Sequence, residues 1–208
     1  MSHQKQIILL LSLTLVFGSV SLSAQNQEKE EQHLYQITEI TKLMEECKAL
    51  KIATLGPDVN ESQIGFGVNK HGEIRFGLSA IKGMGASAAD SIVRERMENG
   101  PYKDIYDFAE RVDLSNVNRK AFESLAYSGG FDSFGLQREQ YFAVTAKGDL
   151  FLDTIVRYGQ LFQAEKAQQQ NSLFGGMDAI DVVHPIAPKA EKWPVIEKLN
   201  KERELVGI

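Results

Sequence analysis

The sequence predicts a mainly α protein with one small β-hairpin, flanking helices and a linker, and three observations carry that prediction. Apolar residues recur at helical spacing in segment after segment from Ile37 to Ala167. Alternation of the strand type is confined to Ile64, Phe66, Val68 and Ile74, Phe76, on either side of the polar stretch Asn69–Gly72. Helix, glycine turn, helix occurs twice, around Gly83/Gly85 and again from Ser128-Gly129-Gly130 to Gly135, where the copy is degenerate because Gly130 and Gly135 stand too far apart for the same tight turn. The 208 residues, 43% of them hydrophobic, suffice for one or two small domains with a real core.

Met1–Ala24 has the form of a secretory signal: Lys5 precedes an apolar run from Ile7 to Val20, and small residues precede Gln25. The run is short for a membrane span. Two readings stay open, a genuine export signal and a foreign leader joined to unrelated sequence. Residues 25–36 form a polar linker with little to bury.

Ile37, Ile40, Leu43, Met44 and Cys47 then line one face of a helix, and Gly56-Pro57-Asp58 ends the region spanning residues 37–60. A domain is expected over residues 61–145. It opens with the hairpin, whose apolar face would cover the helices behind it. After Phe76–Ala80 and the turn Ile81–Gly85, a helix over Ala86–Asn99 should bury Ala89, Ile92, Val93 and Met97 before Asn99-Gly100-Pro101 stops it. Asp104 is a natural N-cap for the next helix, which buries Ile105, Phe108, Ala109 and Val112. A further helix is expected over Asn116–Tyr127, then Ser128-Gly129-Gly130, and then Leu136–Thr145 as helix again. Residues 146–168 read as a linking helix, with Asp149–Ala167 amphipathic, and residues 169–190 as a linker opened by Gln168-Gln169-Gln170. Residues 191–208, with a helical segment from Ile196 to Leu205, would begin another domain.

The chain is organised around Ile81-Lys82-Gly83-Met84-Gly85. Two glycines one residue apart let the backbone turn tightly and leave no Cβ to hold an anionic surface away from the peptide N–H groups. The helix that follows directs its free N–H groups and the positive end of its dipole at the same place, which is a phosphate-binding arrangement. The pattern resembles a helix-hairpin-helix, a module that grips the DNA sugar-phosphate backbone without reading sequence. Lys82, Gly83, Met84, Gly85, Ala86 and Ser87 are its expected contact residues. An ordinary tight turn between core helices is the bland alternative. A dinucleotide fingerprint, which Gly83, Gly85 and Ala88 would fit, lacks the preceding strand and the acid-tipped second strand it needs.

Charge tempers this expectation. The chain carries a net −5, and between Arg75 and Lys120 eight Lys and Arg face seven Asp and Glu, a balance of +1. Affinity for DNA must then rest on backbone donors and one or two basic side chains rather than on a broad basic surface. The single Cys47 excludes an internal disulfide and a cysteine-built zinc site. Within the linker, Gln170, Leu173 and Phe174 place two large apolar side chains and an amide in a polar stretch. They either fold back on the preceding helix or anchor in a partner's pocket.

From Ile37 to Ile208 the sequence resembles the C family of bacterial replicative polymerases, the DNA polymerase III alpha subunit. The segments that carry the resemblance are Gly56–Ser62, Ile74–Leu78, Ile81–Gly85, Gly100–Tyr102, Asp107-Phe108, Val117–Lys120, Phe131–Ser133 and Ser172–Gly175. The resemblance implies a fragment running from the end of the fingers, through a tandem helix-hairpin-helix domain, to the edge of an oligonucleotide-binding barrel. It implies that Lys82–Gly85 meets duplex DNA, and that Gln170, Leu173 and Phe174 dock on the sliding clamp, with other replicase subunits as partners. It further implies a cytoplasmic location; the alternative, which the leader suggests, is an exported helical interaction protein that reuses the polymerase-like body as a module.

The family's catalytic aspartates, which hold two magnesium ions, lie upstream of everything matched. No D-x-D on a strand and no H-E-x-x-H replaces them, and His3, His33, His71 and His184 are scattered. No catalytic residue, metal ligand or cofactor is therefore expected in this chain, and polymerase activity from it alone is not expected.

Overall fold

A computed structural model of the protein describes Glu45, residues 47–171 and residues 182–206. The chain divides into two compact units, Met1–Glu46 and Cys47–Ile208. Of the first, only Glu45 is described, helical and exposed. The signal-like leader, the linker over residues 25–36 and most of the helix expected over Ile37–Leu50 lie outside the described residues. Within the second unit, residues 47–49 are helical.

The small sheet has three strands, β1 (Thr54–Leu55), β2 (Gly67–Val68) and β3 (Ile74–Arg75), in the order β1-β3-β2. The expected hairpin is the antiparallel pair β2/β3, with Val68 opposite Ile74. Its turn is closed by Asn69, whose Oδ1 accepts the His71 and Glu73 N–H groups. β1 pairs parallel to β3, with Thr54 opposite Ile74. Two residues carry no periodicity, so this strand gives no signal in the sequence.

The segment Phe76–Ala80, expected as the first helix of the central motif, forms a single 3-10 turn over Leu78–Ala80. The Leu78 and Ser79 N–H groups donate to the Gln63 and Ile64 carbonyls at 3.0 and 2.9 Å, and the backbone returns to an extended conformation at Ile81, which ends the turn.

Among the described residues six α-helices follow: α1 (Ala86–Asn99), α2 (Ile105–Arg111), α3 (Arg119–Ser128), α4 (Arg138–Tyr141), α5 (Phe151–Asn171) and α6 (Val195–Val206). Asp104 caps α2 by accepting from the Tyr106 and Asp107 N–H groups at 2.8 and 2.9 Å, as its position predicts. Asn118 does the same for α3 at Lys120 and Ala121. That helix therefore starts later than Asn116. Met97, expected in the core, is exposed, because the buried stripe of α1 runs Ala88, Ala89, Ile92, Val93, Arg96. Arg96 takes the inward place by donating to the Val59 carbonyl at 2.7 Å.

The helix expected over Leu136–Thr145 contracts to the four residues of α4. Beyond it, Val144 and Leu150 bridge and the Thr145 N–H donates to the Asp149 carbonyl, a tight turn that diverts the backbone. Conversely, α5 runs on to Asn171, so Gln168–Gln170 are helical rather than the opening of the linker. Glutamine is a good helix former, and no glycine or proline intervenes before Gly175.

The core centres on Phe108 of α2. Its ring meets those of Tyr102, Phe122 and Phe131 edge-on, with centroids 4.8, 5.2 and 5.0 Å away. α5 lies against α2, and Gln163 caps the end of α2 by donating to the Ala109 and Val112 carbonyls at 3.0 and 2.8 Å. α6 packs on α3 and is fixed by Arg138, which pairs with Asp132 at 2.6 Å and with Glu202 at 2.9 Å.

Candidate nucleic-acid interface

The turn at Ile81–Gly85 is built by alternation. Ile81 and Met84 are buried, while Lys82, Gly83, Gly85, Ala86 and Ser87 are exposed. The two apolar side chains pin the turn to the core, and the rest of it faces water. The Met84 N–H donates to the Ile81 carbonyl at 3.0 Å, which closes the turn. Met84, named among the expected contacts, therefore shapes the turn and presents neither side chain nor amide.

Two other helices hold the turn from behind. The Lys82 N–H donates to the Leu205 carbonyl in the last turn of α6 at 2.9 Å. Its carbonyl accepts from Ser124 Oγ of α3 at 3.0 Å. Gly83 has φ +88°, a conformation that strains any side chain, and a Cβ there would stand 2.7 Å from Ser124 Oγ and 3.3 Å from Lys120 Cε. This glycine is thus demanded by the fold itself.

Gly85 is different. Its φ is −74°, and a Cβ there would meet Ser87 Oγ only at an ordinary 3.8 Å. Nothing within the described residues requires glycine at this place. Gly85 is also the N-cap of α1 and supplies no side-chain cap, so the first-turn amides of the 14-residue helix are left for an outside acceptor. A close external approach is what a missing Cβ and a missing cap together permit.

The electrostatics give the site a direction. Lys82 makes no ion pair with any described residue. Beside the first turn of α1, a polar cleft of about 270 Å³ is lined by Ser87 and by Asp90, Glu95, Glu98 and Asp113 against Arg94 and Arg111. Both arginines are engaged, Arg94 by Asp90 and Arg111 by Glu95 and Asp107. Ser115, through its hydroxyl and N–H, with the Asn116 amide, holds the Asp113 carboxyl below its usual range. Lys82, the basic side chain of the turn itself, is exposed, while carboxylates line the cleft that begins at Ser87.

The second glycine turn is shut. Gly129 and Gly130 are buried, and a Cβ on Gly129 would fall on the Arg138 guanidinium. Arg138 fills the place that an anion would need, with Asp132 and Glu202 balancing its charge. Burial of its side chain beside these two carboxylates fixes the hairpin as packing.

Of the expected clamp contacts, Gln170 lies in the last turn of α5, and Leu173 and Phe174 lie outside the described residues. Sequence reasoning missed Ser124 and Lys120, the two α3 side chains against the turn. They stand about forty residues from it and carry no local signal.

Comparison with known proteins agrees with this geometry. A family model described as a helix-hairpin-helix motif matches residues 51–141. The DNA polymerase III alpha subunit of Xylella fastidiosa (strain Temecula1) is 34% identical over 166 residues, 79% of this chain and 13% of that protein. The alpha subunits of Vibrio cholerae and Chlamydia trachomatis are each 35% identical, over 80% and 83% of this chain and 14% of their own lengths. The chain matches one segment of the DNA polymerase III alpha subunit. It spans about one seventh of the length of these relatives.

The open turn, the closed turn and the strands before them all fall within the helix-hairpin-helix match of this polymerase-like segment. Among the described residues, no group of three or more His, Cys, Asp or Glu could hold a metal ion. No helix among them is long and apolar enough to cross a membrane.

Proposed function

We propose that the chain binds the sugar-phosphate backbone of duplex DNA during replication, without reading sequence. The amide N–H groups of Gly83, Gly85, Ala86 and Ser87 donate to phosphate oxygens, and Lys82 adds charge. The observation that carries this reading is the uncapped start of α1 behind a glycine that the fold does not need. Seats of this kind hold phosphates by directed N–H groups and the helix dipole, and they see the same backbone in every sequence. Catalysis belongs to upstream polymerase regions with their own magnesium. This chain supplies grip.

The same reading assigns Gln170, Leu173 and Phe174 to the sliding clamp, with other replicase subunits as neighbours and the cytoplasm as the compartment. Support for the clamp contact is the motif itself and the similarity to alpha subunits. Fluorescence anisotropy with two unrelated duplexes at low salt tests the DNA contact. Equal affinities are expected; no binding, or a strong preference for one sequence, overturns it. Phe174→Ala should abolish capture by a purified clamp while leaving DNA binding intact, and unchanged capture removes the clamp assignment.

A further inference from the structure

Resting on the DNA-backbone reading, we propose that Lys120 of α3 is a second cation of the same phosphate seat and that Glu123 is its internal competitor, a carboxylate that an incoming phosphate displaces. Three features of the turn and α3 meet here. The stem of Lys120 crosses the mouth of the glycine turn, its Cε and Cγ 3.3 and 3.6 Å from where a Gly83 Cβ would stand. Its ammonium is one bond further out, on a side chain 63% exposed, and rests 3.2 Å from Glu123 Oε2. Glu123 also holds Arg119 at 2.9 Å, yet Arg119 has a carboxylate of its own, Asp153, at 2.8 Å.

The helix carrying Lys120 is not itself a phosphate seat, since Asn118 already caps its first amides. What α3 lends to the Gly83 turn is one side chain, aimed by the Ser124 contact to the Lys82 carbonyl and by the packing of Gly83 against the lysine stem. An exposed lysine–carboxylate pair is weak, so exchanging Glu123 for a phosphate costs little. Without DNA, the pair keeps the lysine from straying and moderates attraction for other anions. With DNA, Lys82 and Lys120 flank the amides of Gly83 and Gly85 from two sides.

The test uses the full chain, a labelled duplex and a salt titration on four proteins: unaltered, Glu123→Gln, Lys120→Gln and the double variant. Glu123→Gln should tighten low-salt binding about two- to fivefold, the factor an exposed ion pair carries, while Arg119 stays held by Asp153. Lys120→Gln should weaken binding and flatten the slope of log K against log salt by about 0.9, one phosphate's share. In the double variant the gain from Glu123→Gln should vanish. A gain that persists there reports only a general loss of negative charge, and an unchanged slope in Lys120→Gln makes the lysine a bystander. Either overturns the inference while the unaltered chain still binds. Failure of the unaltered chain to bind overturns the DNA reading instead, and the inference with it.

Discussion

Ser124 Oγ donates to the Lys82 carbonyl at 3.0 Å across 42 residues of sequence. This bond ties the buried middle of α3 to the exposed tip of the glycine turn, and it explains how a loop facing water keeps one shape. Ser124 is 1% exposed. With the Leu205 carbonyl on the other side of the same residue, the Lys82 peptide is clamped at both its donor and its acceptor.

Ser124→Ala should therefore lower stability by about 1–2 kcal/mol, since it removes a buried hydrogen bond and leaves a carbonyl short of its partner. Chemical denaturation with an unchanged slope would register the loss. A variant as stable as the parent would show that the turn is held by Ile81 and Met84 alone.

Gly83→Ala should destabilise by about 1–3 kcal/mol, because φ +88° strains alanine and its Cβ presses on Ser124 Oγ. Weak DNA binding by this variant would then report a damaged fold as much as a blocked seat. Thermal melting separates the effects, and an unchanged melting temperature would contradict the packing described for this glycine.

Alkaline pH should unfold the protein. Burial pushes the Tyr102 phenol up, with Glu95 adding to it, and burial pushes Tyr141 up further, with Asp132 adding to it. The folded state keeps these protons above about pH 10, where the unfolded chain releases them. Stability is thus fully present below that pH and falls as pH rises beyond it. Melting temperatures followed upward from neutral pH should drop there, and Tyr102→Phe should soften the drop. A flat profile would mean that the phenols ionise freely in the folded state.

Much of this was legible in the sequence because its signals are local. The apolar spacing of Ala88, Ala89, Ile92 and Val93, the N-cap at Asp104 and the stop at Gly100 each act within one or two turns of backbone. What failed was non-local. β1 exists only because β3 passes beside it, and the 3-10 turn at Leu78–Ala80 is docked through its amides on the Gln63 and Ile64 carbonyls, 15 residues earlier in the chain. The spacing of Gly130 and Gly135 marks the second glycine turn as degenerate, but not what closes it. What closes it is Arg138, nine residues beyond Gly129, whose guanidinium packs over that turn while Lys82, Gly83 and Gly85 stay exposed.

The central claim is that the start of α1 is left uncapped for a phosphate. Gly85→Asp tests it most directly, by supplying from within the chain the carboxylate cap that the helix lacks. The protein should melt at the same temperature or higher, because aspartate is a better N-cap than glycine, and its affinity for duplex DNA at low salt should fall about tenfold or more as the new charge occupies the seat. Undiminished DNA binding by a well-folded Gly85→Asp protein would contradict the account.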